Sequence, residues 1–572
     1  MGRRFTLHAP ARVLALMIVA VGLLALPAAG AQLAGDEAPA GLLGRLSQAV
    51  QLHYYANHPA AAPAPLQASL AGLKKLQKGH TLGAKHSLAS FNFDDTGLPQ
   101  NEESVSACHT NTNYVLGGTN DYRGLLDPVG NFTGWHFSTD SGASLANEGL
   151  LPELSIAGTV VPSGGDPVDA AGPGCSFYAA DLNYTLGSDF LTEPNGVGIY
   201  RSDAARLASC DPSNQASCWP TGRVAAVSPN VHGQPNPASP DHPADFYDKP
   251  WVDVGPSGAA GDVVWLVFSD FHMTGPGTDT LDYTAQLKAV RCDAALTSCT
   301  TPQVLSGSDD DIQFGDVTIG PDGRTYVTWA QIVGELPGAG GTPSQPQTWV
   351  IKSRVAAAGS TTFGPTHVVR TVELPVPFAG TLQADSFRVA TYPKNAVAQL
   401  GGNGKKPGTG ETRFFVTWEQ CAARVLDTIC EEPSVMLTHS DDLGATWSDP
   451  QTLSQGGVNY FPTISADPTS GQVAVAWFTN RYDPFDNRQD IELVSFDADR
   501  LDTKHVQRLT PVSNDPDADP LLHGAFIGDY IEVFAYDRTA WVHFNANYRD
   551  VPLLGDGVPV NQEDNFLLRT GL

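Results

Sequence analysis

The chain has 572 residues, among them 43 Pro and 57 Gly, with 41% hydrophobic and only 16% charged residues and a formal net charge of −28. That length and apolar content suit a chain that buries a substantial core and exclude wholesale disorder. The acidity repels phosphate backbones and excludes nucleic acid as a partner, while abundant Pro and Gly argue against a mainly helical protein.

At the amino end, Arg3 and Arg4 precede an apolar run from Val13 to Leu26, followed by Pro27 and Ala28-Ala29-Gly30-Ala31. This is the layout of a secretory signal peptide cleaved after Ala31, and the run is shorter than the roughly 20 residues of a membrane anchor. Removing residues 1–31 takes away Arg3, Arg4 and Arg12 and no acid, which brings the charge to −31. No later stretch is long and apolar enough to span a bilayer, so a secreted or periplasmic protein without a membrane span, and a monomer, is expected. Residues 32–86 follow as a leader. Leu42–Tyr55 and Leu66–Leu76 have helical spacing, broken at Pro59-Ala-Ala-Ala-Pro-Ala-Pro65, which suits a helical pro-segment or arm, or a poorly ordered leader.

The eight cysteines fit an oxidising compartment. Cys210/Cys218, Cys292/Cys299 and Cys421/Cys430 are close enough in sequence to close loops, which leaves Cys108 and Cys175 to each other. The intervening residues lack zinc-ligand spacing, so four structural disulfides are expected.

A repeat runs from residue 105 onward. Val252–Asp270, Val317–Gln331 and Ile464–Asn480 each read as an apolar strand, a turn rich in Gly, Pro or Asp, and a second strand ending in an aromatic and polar residues. Weaker copies start at Val105, Val168, Val389 and Ile531. Seven units of similar size predict a ring. A third strand ends in a similar phrase in most units, and in two it continues into a longer motif: Ser440-Asp-Asp-Leu-Gly-Ala-Thr-Trp447, and Ser138-Thr-Asp-Ser-Gly-Ala-Ser-Leu145, where Leu145 replaces the aromatic. The Asp can accept amide hydrogens within a tight turn, Gly supplies φ > 0 and Trp packs between sheets, so these motifs are structural.

On those motifs the chain resembles the sialidase-like Asp-box (BNR-repeat) β-propellers over roughly residues 87–572. The resemblance implies an all-β ring of four-stranded blades; the repeat counts seven, against the six of sialidases. The last unit has three strands before Leu572, and Ser87–Phe93 could supply its fourth and close the ring.

In such a ring the loops entering strand one and leaving strand two share a face. The repeat therefore sorts Glu102, Glu103, Asp166, Asp248, Lys249, Asp309–Asp311, Asp385, Arg388, Asn459, Tyr460, Asp529 and Tyr530 to the same face as Asp121, Arg123, Glu419, Arg481 and Arg549, opposite the Asp boxes. A funnel of this kind suits a ligand, with solvated loop ends as the alternative. The resemblance further implies a sugar carboxylate held by three arginines, drawn from Arg123, Arg388, Arg481 and Arg549; an acid at Asp121 or Asp127; and a nucleophile at Tyr460 or Tyr530 with Glu419 as its base. The family's Arg-Ile-Pro motif is absent, and Glu103-Ser-Val-Ser-Ala107 stands in its place. Three expectations stay open: an exo-acting glycoside hydrolase of sialidase type, a non-catalytic propeller that binds glycan or protein, and a polysaccharide lyase using His272 with Tyr247. No cofactor is expected. Asp309-Asp310-Asp311 and Asp515-Pro-Asp-Ala-Asp519 could hold Ca²⁺, but neither has the Gly and terminal Glu of a calcium loop, which favours solvated turns.

Overall fold

The structure, a computed structural model, describes residues 43–62, 66–67, 90–187, 193–230, 244–273, 283–309, 311–333, 348–376, 381–382, 385, 387–401, 411–425, 429–485, 487–522, 524, 526–553 and 559–572. The segment expected to be a signal peptide, and most of Leu66–Leu76, lie outside these.

Among the described residues, seven antiparallel sheets follow one another in chain order, six of four strands and the last of three. Their first strands are Gln100–Ala107, Val168–Ala171, Ala244–Pro256, Ile312–Ile319, Lys394–Gln399, Asn459–Ala466 and Glu532–Tyr536. Each first strand touches those of the neighbouring blades, and that of blade 7 returns to that of blade 1, so the sheets form a seven-bladed β-propeller with first strands innermost. Second strands carry the packing key. Trp329, Trp418 and Trp477 are the aromatics noted near the strand end, Trp265 and Trp541 sit near the start of theirs, and all five are fully buried. Burying one such large apolar side chain contributes on the order of 3 kcal/mol.

Blade 5 departs from the repeat phase, because its inner strand starts at Lys394, five residues after Val389. Pro393 immediately precedes it and has no N–H to offer a ladder. The ring closes through the segment starting at Ser90; residues 87–89 lie outside the described residues. Phe91 N donates to Asn565 O (2.8 Å) on the last strand, Pro559–Gly571, and Asn92 Nδ2 donates to Gln100 Oε1 (2.7 Å) on the first. Directly across the seam, Val105 N donates to Glu532 Oε2 (2.7 Å), and His543 Nδ1 lies 2.7 Å from Ser104 O.

All four expected disulfides are present: Cys108–Cys175, Cys210–Cys218, Cys292–Cys299 and Cys421–Cys430. The first ties the exit of the first strand in blade 1 to the equivalent turn in blade 2. The two Ser-x-Asp-x-Gly turns have matching bonds. Gly142 N and Gly444 N donate to Ser138 Oγ and Ser440 Oγ, and Ser144 N and Thr446 N each donate 2.8 Å to Asp140 Oδ1 and Asp442 Oδ1. They cap the turn after strand three, as a structural role requires. No described helix is long and apolar enough to cross a membrane.

The leader has a helix, α1 (Gln48–Asn57), capped at its start by Ser47, whose Oγ accepts from Val50 N (3.4 Å). It lies across the face that gathers the loops entering each blade. Leu43, Leu46, Val50 and Tyr54 pack on residues of blades 2 and 3, including Leu182, Phe246 and Phe271, while Ala49 and Leu52 pack with Tyr122 and Phe132 of blade 1 and Leu521 and Leu522 before blade 7.

Candidate functional site

Inner strands of this ring do not run straight into the axis. Glu102, Asp166, Lys249, Phe314 and Phe461 all have φ between 51° and 59°, and four of them fall where the register of the inner strand shifts. A left-handed residue at this point kinks the strand end inward and aims its side chain at the centre. Three of the five, Asp166, Lys249 and Phe461, precede a Pro.

The result is a charged layer on the axis. Asp529 accepts from Lys249 Nζ (2.5 Å) and from Arg388, whose Nε lies 3.0 Å from Oδ1 and whose Nη2 bonds Oδ2. Burial alone would raise the Asp529 carboxyl, but the two cations outweigh it and hold the group below its ordinary value. Glu102, Asp166 and Asp248 complete the layer, each at most 1% exposed. Asn120 positions two of them: its Nδ2 donates to Glu102 Oε2 (2.8 Å) and its Oδ1 accepts from Asp166 N (2.8 Å). Burial, reinforced by Asp529, pushes the Glu102 carboxyl up to about 7; burial and Glu102 push Asp166 well above the carboxylate range; burial pushes Asp248 up to about 7. At neutral pH this constellation offers protonated carboxyls beside a charged lysine and arginine.

Beneath lies an aromatic layer. Trp251, Tyr392 and Tyr530 surround Lys394, whose Nζ stands 2.7, 4.1 and 5.4 Å from the three ring centroids. Burial lowers this amine to about 7. Below it, a cavity of about 440 Å³ follows the inner strands, passing Asp169, Asp316 and Glu532 and reaching the turns at Pro256 and Pro321.

The sequence-based candidates take the following places. Arg388 belongs to the charged layer and Tyr530 to the aromatic one, its hydroxyl donating to Pro167 O (2.8 Å). Asp121 and Arg123 form an ion pair (2.5 Å), and Arg123 also meets Glu148 (2.7 Å). Arg549 pairs with Asp564 (2.5 Å) and donates to Asn92 and Asp94, at the seam between blades 7 and 1. Arg481 pairs with Glu492 (3.2 Å) in blade 6. The four arginines thus serve five carboxylates, none of them shared between two of the four, and do not converge. Asp127 accepts from the amides of Val129, Gly130 and Asn131, closing a turn. Tyr460 bonds Gln489 within the apolar core, and Glu419, pushed up to about 8 by burial, accepts from Tyr392 N; neither Tyr460 nor Tyr530 bonds it. His272 pairs with Asp245, and Tyr247 OH donates to Val227 O (3.3 Å), so the two are not joined. Asp309 pairs with Lys352 (2.6 Å), Asp311 with Arg45 (3.2 Å), and Asp519 accepts from Leu521, Leu522 and Glu563 amides; Asp310 lies outside the described residues.

Sorting by strand phase brought Glu102, Asp166, Asp248, Lys249 and Asp529 to one face without singling them out. The overlooked signal was a residue followed by Pro at the same phase of several units. Asn120 was missed as well, although it stands at the end of a second strand in the phrase Thr119-Asn120-Asp121.

No family model and no curated protein matches the chain. Among solved structures, a Hadza microbial sialidase is similar at 14% identity over 77% of this chain and 73% of its own, with a TM-score of 0.40. A protein of unknown function from Dyadobacter fermentans is similar at 10% identity over 71% of this chain and 94% of its own (TM-score 0.42), and an α-L-arabinofuranosidase from Fusarium graminearum at 12% over 73% and 97% (TM-score 0.38). These values carry no argument about activity, so the site is read from its own residues.

Proposed function

We propose that this chain is an exported, glycan-acting propeller, an exo-acting glycoside hydrolase whose site is the charged layer on the axis. The observation that supports it is the Glu102–Asp166 pair held by Asn120 beside Lys249 and Arg388. Glycoside hydrolysis needs one protonated carboxyl for the leaving oxygen and one carboxylate facing the anomeric carbon, and two close, buried acids with raised affinities supply both forms near neutral pH. Asp166, the more strongly raised of the two, is assigned the acid and Glu102, at about 7, the carboxylate. Asp248 would accept, and Arg388 would donate, hydrogen bonds to sugar hydroxyls.

The ion pairs made by Arg123, Arg481 and Arg549 leave no three-arginine clamp for a sugar carboxylate, which favours a neutral terminal sugar. The same observation supports the second reading, a propeller that binds glycan without cleaving it. Fluorogenic α- and β-glycosides of neutral and acidic sugars, assayed between pH 4 and 8 with the leader in place and displaced, test the proposal. Release of a neutral sugar, reduced at least about 100-fold in Asp166→Asn, is expected on the usual size of general acid catalysis. No release from any substrate in either state removes the hydrolase and leaves the binding reading.

A further inference from the structure

The charged layer is covered by the chain's own leader. Ser47 N donates to Asp248 Oδ2 (2.8 Å), and Arg388 Nη1 donates to Leu46 O (2.8 Å) and Gly44 O (3.2 Å). Arg45 pairs with Asp311 at the edge of blade 4, and Gln313 Nε2 donates back to Arg45 O (3.3 Å). Arg45, Leu46, Ser47, Ala49 and Val50 are all wholly buried.

These contacts have the character of a bound ligand. Among the described residues the leader adds no strand to any blade, and the ring closes without it, from Ser90 onward. Its polar bonds to the axis are made by Asp248 and Arg388, through one donated amide and two accepted carbonyls. Those are the pairings that the hydroxyl groups of a sugar would make with the same carboxylate and guanidinium, so leader and ligand need the same atoms. The apolar side chains on either side, from Leu43 to Tyr54, seat the turn at residues 44–47 over the axis.

We propose that residues 43–57 are an intramolecular plug, which occupies the funnel by imitating the hydrogen bonding of its ligand and must leave before that ligand enters. The identity of the ligand as a glycan rests on the function proposed above; the competition does not.

The test uses the full chain with a protease site inserted between Gln67 and Ser90, folded first and then cut. A fluorescent peptide of residues 42–62, added in excess, should exchange with the cut leader. Once the leader is removed by dilution and gel filtration, carbodiimide labelling of Asp248 and Asp166, read by mass spectrometry, should rise at least tenfold while the β-sheet circular dichroism persists. In the uncut chain, Leu46→Asp should raise the same labelling with the fold retained. A leader that neither exchanges nor leaves, a propeller that unfolds when it goes, or labelling that stays unchanged would overturn the plug. Sugar release from the same samples is read separately: labelling that rises without any hydrolysis removes the hydrolase and leaves the plug standing.

Discussion

Lys249 and Asp529 meet at 2.5 Å across the axis, joining blade 3 to blade 7 over 280 residues of sequence, with side chains only 3% and 5% exposed. Asp529 also neutralises Arg388, so one carboxylate serves two buried cations. Replacing it leaves both without a counter-charge, and breaking a buried ion pair from one side costs about 3–5 kcal/mol. Asp529→Asn is therefore expected to lower stability by that amount, measured by urea unfolding. A change below about 1 kcal/mol would show that the layer is hydrated and the pair screened.

Gly165 tests how closely the leader must approach the ring. Its φ is +101°, and a Cβ there would lie 2.5 Å from Ala49 Cβ of α1 and 2.7 Å from Asn120 Oδ1. Gly158, in a hairpin of the same blade connection, has φ +91° with nothing within 4 Å of a Cβ. Both alanine variants incur the left-handed strain of roughly 1–2 kcal/mol, but only Gly165→Ala should also displace the leader. Limited proteolysis should cut the leader of Gly165→Ala several-fold faster than that of Gly158→Ala, and equal rates would refute this.

Stability should rise as pH falls from 8 towards 5. Burial raises Asp169 and Glu419 to about 8 and Glu102, Asp248, Asp253 and Asp564 to about 7. An acid raised in the folded state binds its proton there while the unfolded chain has lost it, so its contribution is complete below about pH 4 and is lost as pH climbs through the folded value. Glu148, lowered to about 2 with the Arg123 ion pair overcoming burial, acts in the opposite direction, and its contribution disappears as pH falls below about 4. The melting temperature is thus expected to peak near pH 4–5. Calorimetry that finds the maximum at pH 8 would mean these carboxyls are ionised in the fold.

The disulfides should differ in weight. Cys108–Cys175 closes a separation of 67 residues and Cys210–Cys218 one of 8. Chain-entropy scaling gives about 4 kcal/mol for the former and about 2.5 for the latter. Double Ser variants compared by guanidinium unfolding should keep that order.

Much of the ring was legible in the sequence because its determinants are local. Strand alternation, turn residues and the Trp of strand two each recur within a few residues, so repetition reinforces them. Sorting residues by strand phase also placed Asp248, Lys249 and Asp529 on one face, since phase alone decides which end of a blade a loop leaves. What phase could not show was partnership. Arg388 finds Asp529 at a separation of 141 residues and Leu46 at 342, and Arg549 is drawn to the segment at Asn92. Four arginines that looked available for a ligand are engaged by carboxylates of the fold. The leader shows the same limit, because its helical spacing was visible and the surface that receives it was not.

The seam between the first and last blades has a kinetic consequence. Val105 is bonded to Glu532 and Phe91 to Asn565, so the contacts that complete the ring join residues more than 400 positions apart. A chain emerging from its amino end holds six blades as an open arc, with one flank of blade 1 uncovered, until the final strand arrives. Contacts of such high order are the slowest to form. Joining the two ends should therefore limit the rate of refolding, and a chain shortened before Asn565 should persist as an aggregation-prone arc.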